Sequence, residues 1–283
     1  SPVAFAFDGP RRMFVVENRG YPDPKEGSID TREGRVALLE DTDGDGRMDK
    51  RTEFATGLGL VNGIVLWRGG MFVTAAPDIL YLKDNDGDGI ADERRVVLTG
   101  FDITKTAQIR VASPTLGLDG KIYVTCGLNG GKVTSPLHPE RAPVVFTGQD
   151  GRFDPDTLVY EKTGGRGQFG LAFDAFGRRF VTDNRRPILH VVLEPWHLQR
   201  NPDFAFGETM QEVSKVQAEA KVMPISGASI TADFIPKLMA APHTGTFTSA
   251  CGITIFGGTG LTPAHPGGAF ICEPAQNLVQ RQT

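Results

Sequence analysis

The chain has 283 residues, a formal net charge of −4 and 23% charged residues, a composition typical of a folded globular protein. Lysine and arginine form no stripe, which argues against a nucleic-acid partner, and no apolar run is long enough for a membrane span. The sequence begins inside a strand-like segment, with neither an initiating Met nor a signal peptide, so we expect a mature or excised piece.

A short pattern recurs from the N-terminus onward: a turn with Gly or Asp-Gly, followed by a strand-like alternation of apolar and aromatic residues. Alternation with a period of two is typical of a half-buried strand. One aromatic marks each copy: Phe14, Phe72, Tyr123, Phe180 and Phe270. Copies of several short strands at a period of roughly 40–60 residues predict an all-β fold, the β-propeller. We therefore predict a single β-propeller domain over residues 1–283, six-bladed when complete, of which about five blades are present here.

Two acidic nonapeptides lie between strand-like segments in the first half of the chain. They read DTDGDGRMD at 41–49 and DNDGDGIAD at 84–92. Oxygen atoms at alternate positions suit Ca²⁺, which takes about 6–8 oxygen ligands. Each nonapeptide is predicted to be a hairpin loop folded around calcium, and the alternative is an Asp/Gly-rich turn without metal. The predicted ligands are Asp41, Asp43, Asp45, Arg47 (backbone carbonyl) and Asp49 in the first loop, and Asp84, Asp86, Asp88, Ile90 (backbone carbonyl) and Asp92 in the second.

Two features of the second half of the chain interrupt the repeats. Residues 207–224 carry Met210, Val213 and Val216 at three-residue spacing, and we predict a helical surface insertion there. Cys251 and Cys272 flank a Gly/Pro-rich stretch, and a disulfide between them would close a loop of about 20 residues. The alternative is two buried free thiols. The chain contains no CxxCH motif for c-type haem attachment.

Polar residues recur where the innermost strands are predicted to end, at one mouth of the propeller channel. These residues are Asn18, Arg19, Asn62, Arg110, Arg166, Asn184 and Arg185, and His243 is a further candidate at this mouth. Converging arginines favour an anionic ligand, because the guanidinium group binds such groups through two parallel hydrogen bonds. The alternative is a network of buried arginines paired with acids such as Glu17 and Asp183.

Several segments resemble a known family. RFDPDTLVYEKTGGRGQFGLAFDAFGRRFVTDN (152–184) resembles a blade of the glucose/sorbosone dehydrogenases that depend on pyrroloquinoline quinone (PQQ), and SPTLGLDGKIYVTCG (113–127) is similar to another of their strands. When the acidic loops and the segments 190–202 and 250–281 are included, the chain resembles the propeller module of planctomycete-type membrane-bound dehydrogenases. Those proteins commonly carry a c-type haem domain.

The resemblance implies an extracytoplasmic, periplasmic or secreted, oxidoreductase module that binds calcium and a polar or anionic small molecule. A sugar would be oxidised by hydride transfer to bound PQQ, and a c-type haem domain on the same polypeptide would accept the electrons. Arg166 matches the Arg of the family's R-N-P cofactor motif, whose Asn is Gly167 here. Asn184 and Arg185 are the other cofactor-binding candidates, although Arg185 stands where the family has a Gly/Pro/Asp-rich loop. The family's general-base His is replaced by Ile109, followed by Arg110, so the catalytic candidates are Arg166, Arg110 and His243. The alternatives are a non-catalytic binding or assembly platform and a calcium-dependent, lactonase-like hydrolase.

Overall fold

The computed structural model describes residues 2–20, 32–104, 109–127, 129–201, 203–205, 208–214, 247–258 and 268–283. These residues are mostly β-strand, and they form five antiparallel sheets, each corresponding to one propeller blade. The five-blade, all-β arrangement confirms the predicted β-propeller fold. The chain divides into two compact units, Ser1–Lys162 and Thr163–Thr283, which are described separately, and the single-domain assignment stays a prediction.

The first unit contains three blades. Blade 1 is a four-stranded sheet in the order β1-β2-β3-β4, formed by Pro2–Phe7, Arg12–Glu17, Gly34–Glu40 and Lys50–Leu58. The first four strands of blade 2 are β5 to β8, formed by Leu60–Trp67, Gly70–Ala76, Asp78–Lys83 and Glu93–Phe101. Blade 3 contains β9 and β10, formed by Ala112–Leu116 and Ile122–Thr125, and β13 and β14, formed by Gly151–Phe153 and Tyr160–Lys162.

A hairpin from the middle of blade 3 extends blade 2. Its strands are β11, Gly130–Thr134, and β12, Val144–Thr147. Strand β11 pairs with β8, with Gly131 opposite Phe101, and makes blade 2 six-stranded. The chain therefore leaves blade 3 after β10, adds two strands to the neighbouring sheet and returns to blade 3 at β13.

The second unit contains two blades and short helical turns. Blade 4 consists of β15 to β18, formed by Leu171–Phe173, Arg179–Val181, Leu189–Val191 and Met210–Glu212. Blade 5 consists of β19 to β21, formed by Cys251–Phe256, Gly268–Glu273 and Leu278–Gln282. Among the described residues of this unit, the helical elements are α1, Pro195–Leu198, and a 3₁₀ turn, Pro274–Gln276. Among the described residues, no helix has the length and hydropathy that a membrane crossing needs.

The helix predicted over 207–224 is wrong where the structure describes that range. Met210–Glu212 is strand β18, which pairs with β17 and places Met210 opposite Val191. Pairing at the edge of blade 4 supplies these residues with backbone hydrogen bonds that a three-residue spacing does not reveal. Residues 215–224 lie outside the described residues.

The five repeat aromatics occupy equivalent places, because each lies in the second strand of its blade: Phe14 in β2, Phe72 in β6, Tyr123 in β10, Phe180 in β16 and Phe270 in β20. Phe14 shares a buried cluster with Met71 and Val73, the residues on either side of Phe72. Side chains alternate between the two faces of a strand. Phe14 of blade 1 therefore packs on blade 2, and Met71 and Val73, on either side of Phe72, pack on blade 1.

The same packing arrangement returns at the next blade boundary. Phe72 shares a cluster with Ile122 and Val124, which flank Tyr123 in blade 3. Within the second unit, Ala269 and Ile271, which flank Phe270, belong to a buried cluster against which Phe180 packs. One rule thus describes three boundaries: the repeat aromatic contacts the following blade, and its two neighbours contact the preceding blade.

Candidate metal centres and ligand-binding residues

The two acidic nonapeptides lie at equivalent places in blades 1 and 2. Residues 41–49 join β3 to β4, and residues 84–92 join β7 to β8. Both therefore connect the third and fourth strands of a blade, which confirms the predicted hairpin position. Each loop is flanked on both sides by strands, as the sequence predicts.

The first aspartate of each loop closes a tight turn. The carboxylate of Asp41 accepts hydrogen bonds from the backbone N–H of Gly44 at 2.5 Å and of Gly46 at 3.0 Å. Asp84 accepts from Gly87 at 2.6 Å and Gly89 at 2.9 Å. All four glycines have positive φ between 83° and 89°, a conformation that side chains disfavour. The glycine spacing therefore lets each first carboxylate fold back over its own loop.

The later aspartates repeat this match between the two loops. Asp45 Oδ1 accepts from the N–H of Arg47 at 2.8 Å, and Asp88 Oδ1 accepts from the N–H of Ile90 at 2.7 Å. Closing the first loop, Asp49 accepts from the N–H of Thr42 at 3.1 Å. In the second, Asp92 accepts from the N–H of Asn85 at 2.7 Å. The two loops have the same backbone geometry as well as the same sequence pattern.

Three carboxylates converge in each loop. Oxygen atoms of Asp41, Asp43 and Asp49 lie within 4.8 Å of one another, and so do those of Asp84, Asp86 and Asp88. Asp45 and Asp92 are the predicted carboxylate ligands outside these clusters. Like charges this close repel one another, and a bound cation would relieve the repulsion.

The first carboxylate of each loop is held in its ionised form. Partial burial raises the pKa of Asp41, but hydrogen bonds from Gly44 and Gly46 and the charge of Arg11 lower it more, so the pKa lies below its ordinary value. The pKa of Asp84 is likewise lowered, since the N–H groups of Gly87 and Gly89 outweigh the effect of burial. Both groups are therefore charged and available to a cation near neutral pH.

A groove of about 460 Å³ adjoins the second acidic loop, a volume in the range of small-molecule sites. Blade 1 contributes charged groups, including Arg12, Glu40 and Lys50. Trp67, the last residue of β5, and Arg68 in the following turn also line the groove. Asp84 and Asp88 lie in the groove wall. Sequence reasoning missed this groove, because its walls come from residues far apart along the chain.

Two of the predicted strand-end residues meet in the first unit. Asn18, buried just after β2, donates from Nδ2 to Asn62 Oδ1 at 3.1 Å. Arg110 is also buried, and its guanidinium donates to the backbone oxygen of Asp102 at 3.3 Å. Burial lowers the pKa of Arg110, with Asp102 opposing the shift. Arg19 is exposed.

The second unit brings Asn184 and Gln168 together. Gln168 Oε1 accepts from the backbone N–H of Asn184 at 2.9 Å, and Gln168 is buried. Arg185 is exposed, and its N–H donates to Asp183 at 3.0 Å. Arg166 is half-buried, and its Nε is enclosed without a hydrogen-bond partner among the described residues. Of the predicted cofactor-binding residues, Arg166 thus has an enclosed donor with no partner among the described residues.

The acids proposed as partners of these arginines bind other arginines. Glu17 pairs with Arg35 at 2.5 Å and with Arg51 at 3.1 Å. Asp183 pairs with Arg186 at 2.5 Å. A buried arginine that the sequence reading missed, Arg179, pairs with Glu194 at 2.8 Å and is 3% exposed.

Cys251 and Cys272 are free thiols, so the predicted disulfide is not formed, although the two residues lie directly opposite each other on β19 and β20. Burial, with the neighbouring Cys272 and Glu273, raises the pKa of Cys251 to about 12. Burial raises the pKa of Cys272 as well. Thiolate, the form that reacts, is therefore scarce at neutral pH.

The candidate His243 lies outside the described residues.

Glu273 is a buried carboxylate that sequence reasoning also missed. It is 0% exposed and accepts from the N–H groups of Thr248 at 3.1 Å and Ser249 at 3.0 Å. Burial raises the pKa of Glu273 more than these hydrogen bonds lower it. Its position at the end of β20 gives no periodic signal in the sequence.

The profile of a protein family described as "Domain of unknown function (DUF7133)" matches residues 1–283. The chain belongs to this family. No curated protein matches it in sequence.

The DUF7133 chain is similar in fold to solved sugar dehydrogenases. A structure titled "glucose dehydrogenase" is 12% identical, with a TM-score of 0.54, and the match covers 100% of this chain and 82% of that chain. The PQQ-bound aldose sugar dehydrogenase from Streptomyces coelicolor is 14% identical, with a TM-score of 0.48 and coverage of 100% and 83%. The PQQ domain of pyranose dehydrogenase from Coprinopsis cinerea is 13% identical, with a TM-score of 0.43 and coverage of 67% and 43%. This chain thus spans less than half the length of the Coprinopsis domain.

Proposed function

We propose that this DUF7133 chain is a calcium-binding propeller module of a sugar-dehydrogenase-like oxidoreductase that acts outside the cytoplasm. The observation that carries the proposal is the pair of acidic hairpins with matching geometry, each of which converges three carboxylates at the same place in a blade. The blade architecture shared with a glucose dehydrogenase supports the dehydrogenase assignment.

Each hairpin would hold one Ca²⁺. Asp41, Asp43 and Asp49 would supply carboxylate ligands in the first, and Asp84, Asp86 and Asp88 in the second. The Arg47 and Ile90 carbonyls, with Asp45 and Asp92, complete the predicted ligand sets. The role is structural, since a hard cation neutralises the clustered charge and fixes the turn.

The ligand would be a polar or anionic small molecule, and Arg166 is the residue best suited to an anionic group. Its enclosed Nε, without a partner among the described residues, fits the carboxylates of PQQ. When bound, PQQ would supply the acceptor for a hydride from the sugar carbon that carries the hydroxyl being oxidised. In this chain, Arg166 would orient the cofactor, and Gln168 would hold the Asn184 backbone beside it. A c-type haem domain on the same polypeptide is the predicted electron acceptor.

The test is reconstitution of the purified protein with Ca²⁺ and PQQ, followed by dye reduction with a panel of aldoses. Bound PQQ, seen by its absorbance, and aldose-dependent turnover are expected. Arg166→Ala should weaken PQQ binding by roughly 10- to 100-fold, the loss of one charge-assisted hydrogen bond. The matched control is Arg178→Ala, which removes an exposed arginine paired with Asp174 and should leave binding unchanged. Absence of both bound quinone and turnover would overturn the oxidoreductase assignment.

A second candidate is a non-catalytic propeller that binds ligands or organises an assembly. The observation in its favour is Ile109 at the general-base position, where its backbone oxygen accepts a hydrogen bond from Asn129. The following Arg110 is buried against the Asp102 backbone. Calcium binding without dye reduction, in a sample of confirmed folding, would support this candidate over the enzyme.

A further inference from the structure

One face of blade 1 carries exposed apolar side chains, whereas the blade faces that meet at the other boundaries of the first unit are buried. On β1, Phe5 is 65% exposed and Phe7 is 56% exposed, and their rings contact each other with centroids 5.8 Å apart. Side chains of this size are rarely left in solvent next to one another. The face continues on β2 through the half-buried side chains of Met13 and Val15, which lie directly opposite Phe7 and Phe5.

Strand register identifies this face. When Phe14 is aligned with Phe72, Met13 corresponds to Met71 and Val15 corresponds to Val73. On the first strands, Phe5 corresponds to Ile64, because they lie opposite Val15 and Val73 respectively. Similarly, Phe7 corresponds to Leu66. The exposed face of blade 1 is therefore the equivalent of the blade 2 face that packs against blade 1.

The burial of the equivalent residues differs sharply between the two blades. Ile64 is 8% exposed, Met71 1% and Val73 0%, all within the cluster that joins blades 1 and 2. Of their counterparts in blade 1, Phe5 is 65% exposed, and Met13 and Val15 are half-buried. The same face is covered in blade 2 by the preceding sheet, whereas in blade 1 the described residues leave Phe5 and Phe7 exposed.

The charged rim of the face follows the same equivalence. Arg94 of blade 2 lies opposite Leu82, as Arg51 of blade 1 lies opposite Leu39. Arg94 reaches the preceding blade and donates to the backbone oxygens of Thr56 at 2.8 Å and Gly57 at 3.0 Å. Arg51 instead pairs with Glu17 within its own blade. Arg51 is thus the equivalent of the arginine that binds the neighbouring outer strand, but its side chain contacts blade 1 itself.

We propose that this face of blade 1, formed by Phe5, Phe7, Met13 and Val15 with Arg51 at its rim, docks a further four-stranded blade supplied by polypeptide outside residues 1–283. The docking blade would present an aromatic from its second strand and small residues from its first, as blade 1 presents Phe14 and Ala6 to blade 2. Its outer strand would offer backbone oxygens to Arg51.

A second copy of this chain is a poorer fit. A two-fold dimer would place Phe5 and Phe7 against their own copies, whereas the boundaries between blades 1, 2 and 3 join two different faces. Part of the glucose dehydrogenase of similar fold also has no counterpart here, since the match covers 82% of that chain.

The test compares Phe5→Lys/Phe7→Lys in the 283-residue chain and in the complete polypeptide that its gene encodes. In the chain alone the midpoint of thermal unfolding should move by less than about 2 °C, because both side chains are exposed. In the complete polypeptide it should fall by roughly 5 °C or more, because the same lysines would be buried at a blade boundary. The control is Phe176→Lys, at an 82% exposed turn residue, which should have little effect in either protein.

Three outcomes would overturn the proposal. The first is an equal shift of the unfolding midpoint in the two proteins, and the second is a reading frame that adds no strands. The third is concentration-dependent dimerisation of the 283-residue chain that the lysine pair abolishes, because it would assign the face to a second copy. If the lysine variant of the complete polypeptide does not accumulate, Phe5→Ala/Phe7→Ala replaces it. Its β1 segment should become more sensitive to proteolysis in the complete polypeptide only, and unchanged sensitivity there would contradict the docking.

Discussion

The backbone N–H of Ala91 donates a hydrogen bond to the carbonyl oxygen of Phe54 at 2.8 Å. Ala91 belongs to the second acidic hairpin of blade 2, and Phe54 belongs to the outer strand of blade 1. The first hairpin has its bond within one blade, from the N–H of Asp49 to Glu40 at 2.9 Å. Among the described residues, the second hairpin therefore ties its own turn to a neighbouring sheet, and the first is bonded within its own blade.

Calcium removal should loosen this inter-blade contact. If the ion fixes the turn from Asp84 to Asp92, chelation should speed hydrogen exchange at the Ala91 amide by roughly tenfold or more, equal to at least ~1.4 kcal/mol of local stability. The measurement is hydrogen exchange with Ca²⁺ or with chelator. The control amide is Thr125 in blade 3, and equal protection of Ala91 in both conditions would argue against calcium in this loop.

Metal stoichiometry should follow the hairpins one by one. The unaltered protein is expected to bind two Ca²⁺, and Asp84→Asn/Asp86→Asn is expected to bind one, because two carboxylates leave a single cluster. Calorimetric titration measures the count. Asp154→Asn is the matched control, since Asp154 also caps a turn through the N–H groups of Asp156 and Thr157 but belongs to neither cluster. Two ions bound by the double variant would contradict the ligand assignment.

Acid should destabilise the metal-free protein through the first carboxylate of each loop. The pKa values of Asp41 and Asp84 lie below the ordinary value of 3.8 in the folded protein. The unfolded chain therefore binds protons first, and the stabilisation present above about pH 4 is lost as pH falls through the folded pKa. Denaturant unfolding in chelator at several pH values should show Asp41→Asn/Asp84→Asn losing less stability on acidification. Asn85→Ala, which removes no titrating group, should leave the pH dependence of stability unchanged.

Gly100 has no room for a side chain. Its φ is +99°, and an added Cβ would collide with the backbone carbonyl of Lys132 in the inserted hairpin. Gly100→Ala should lower the free energy of unfolding by about 3 kcal/mol, combining backbone strain with overpacking. Gly120→Ala has a similar positive φ of +76° but open space around it, and should cost only ~1 kcal/mol. Urea unfolding compares the two, and equal losses would deny the role of the hairpin contact.

The cross-strand thiols should form a bridge only slowly. Because the pKa of Cys251 is raised to about 12, little thiolate exists at pH 7, and oxidation should accelerate as pH rises. Once formed, the Cys251–Cys272 disulfide should add about 3 kcal/mol of stability. Mass spectrometry and urea unfolding measure both effects. Cys251→Ser should abolish them, and bridge formation with Cys126 instead would contradict the register of β19 and β20.

The repeat aromatics and the acidic hairpins could be predicted because both are local signals. Phe72 and Tyr123 lie in strands whose apolar and aromatic residues alternate along the sequence. The spacing of aspartate and glycine in residues 41–49 already specifies a turn. Strand β18 could not be predicted, because the pairing of Met210 with Val191 depends on a distant partner. The groove beside Trp67 escaped prediction for the same reason.

The candidate ligand residues were predicted as positions but not as contacts. Asn18 and Asn62 were expected in comparable places, and they do share a hydrogen bond. The alternative that paired these arginines with Glu17 and Asp183 did not name the observed partners, since the two acids pair with Arg35 and Arg186. Charge pairing depends on which side chains share a sheet face, and that requires the strand register.

The hairpin β11–β12 couples two blades through the backbone. Because it leaves blade 3 and completes the sheet of blade 2, neither sheet can separate from the other without breaking the bonds between β8 and β11. Residues 60–162 should thus melt as one cooperative block, and a proteolytic nick at the β11–β12 turn would leave both fragments anchored in the same fold.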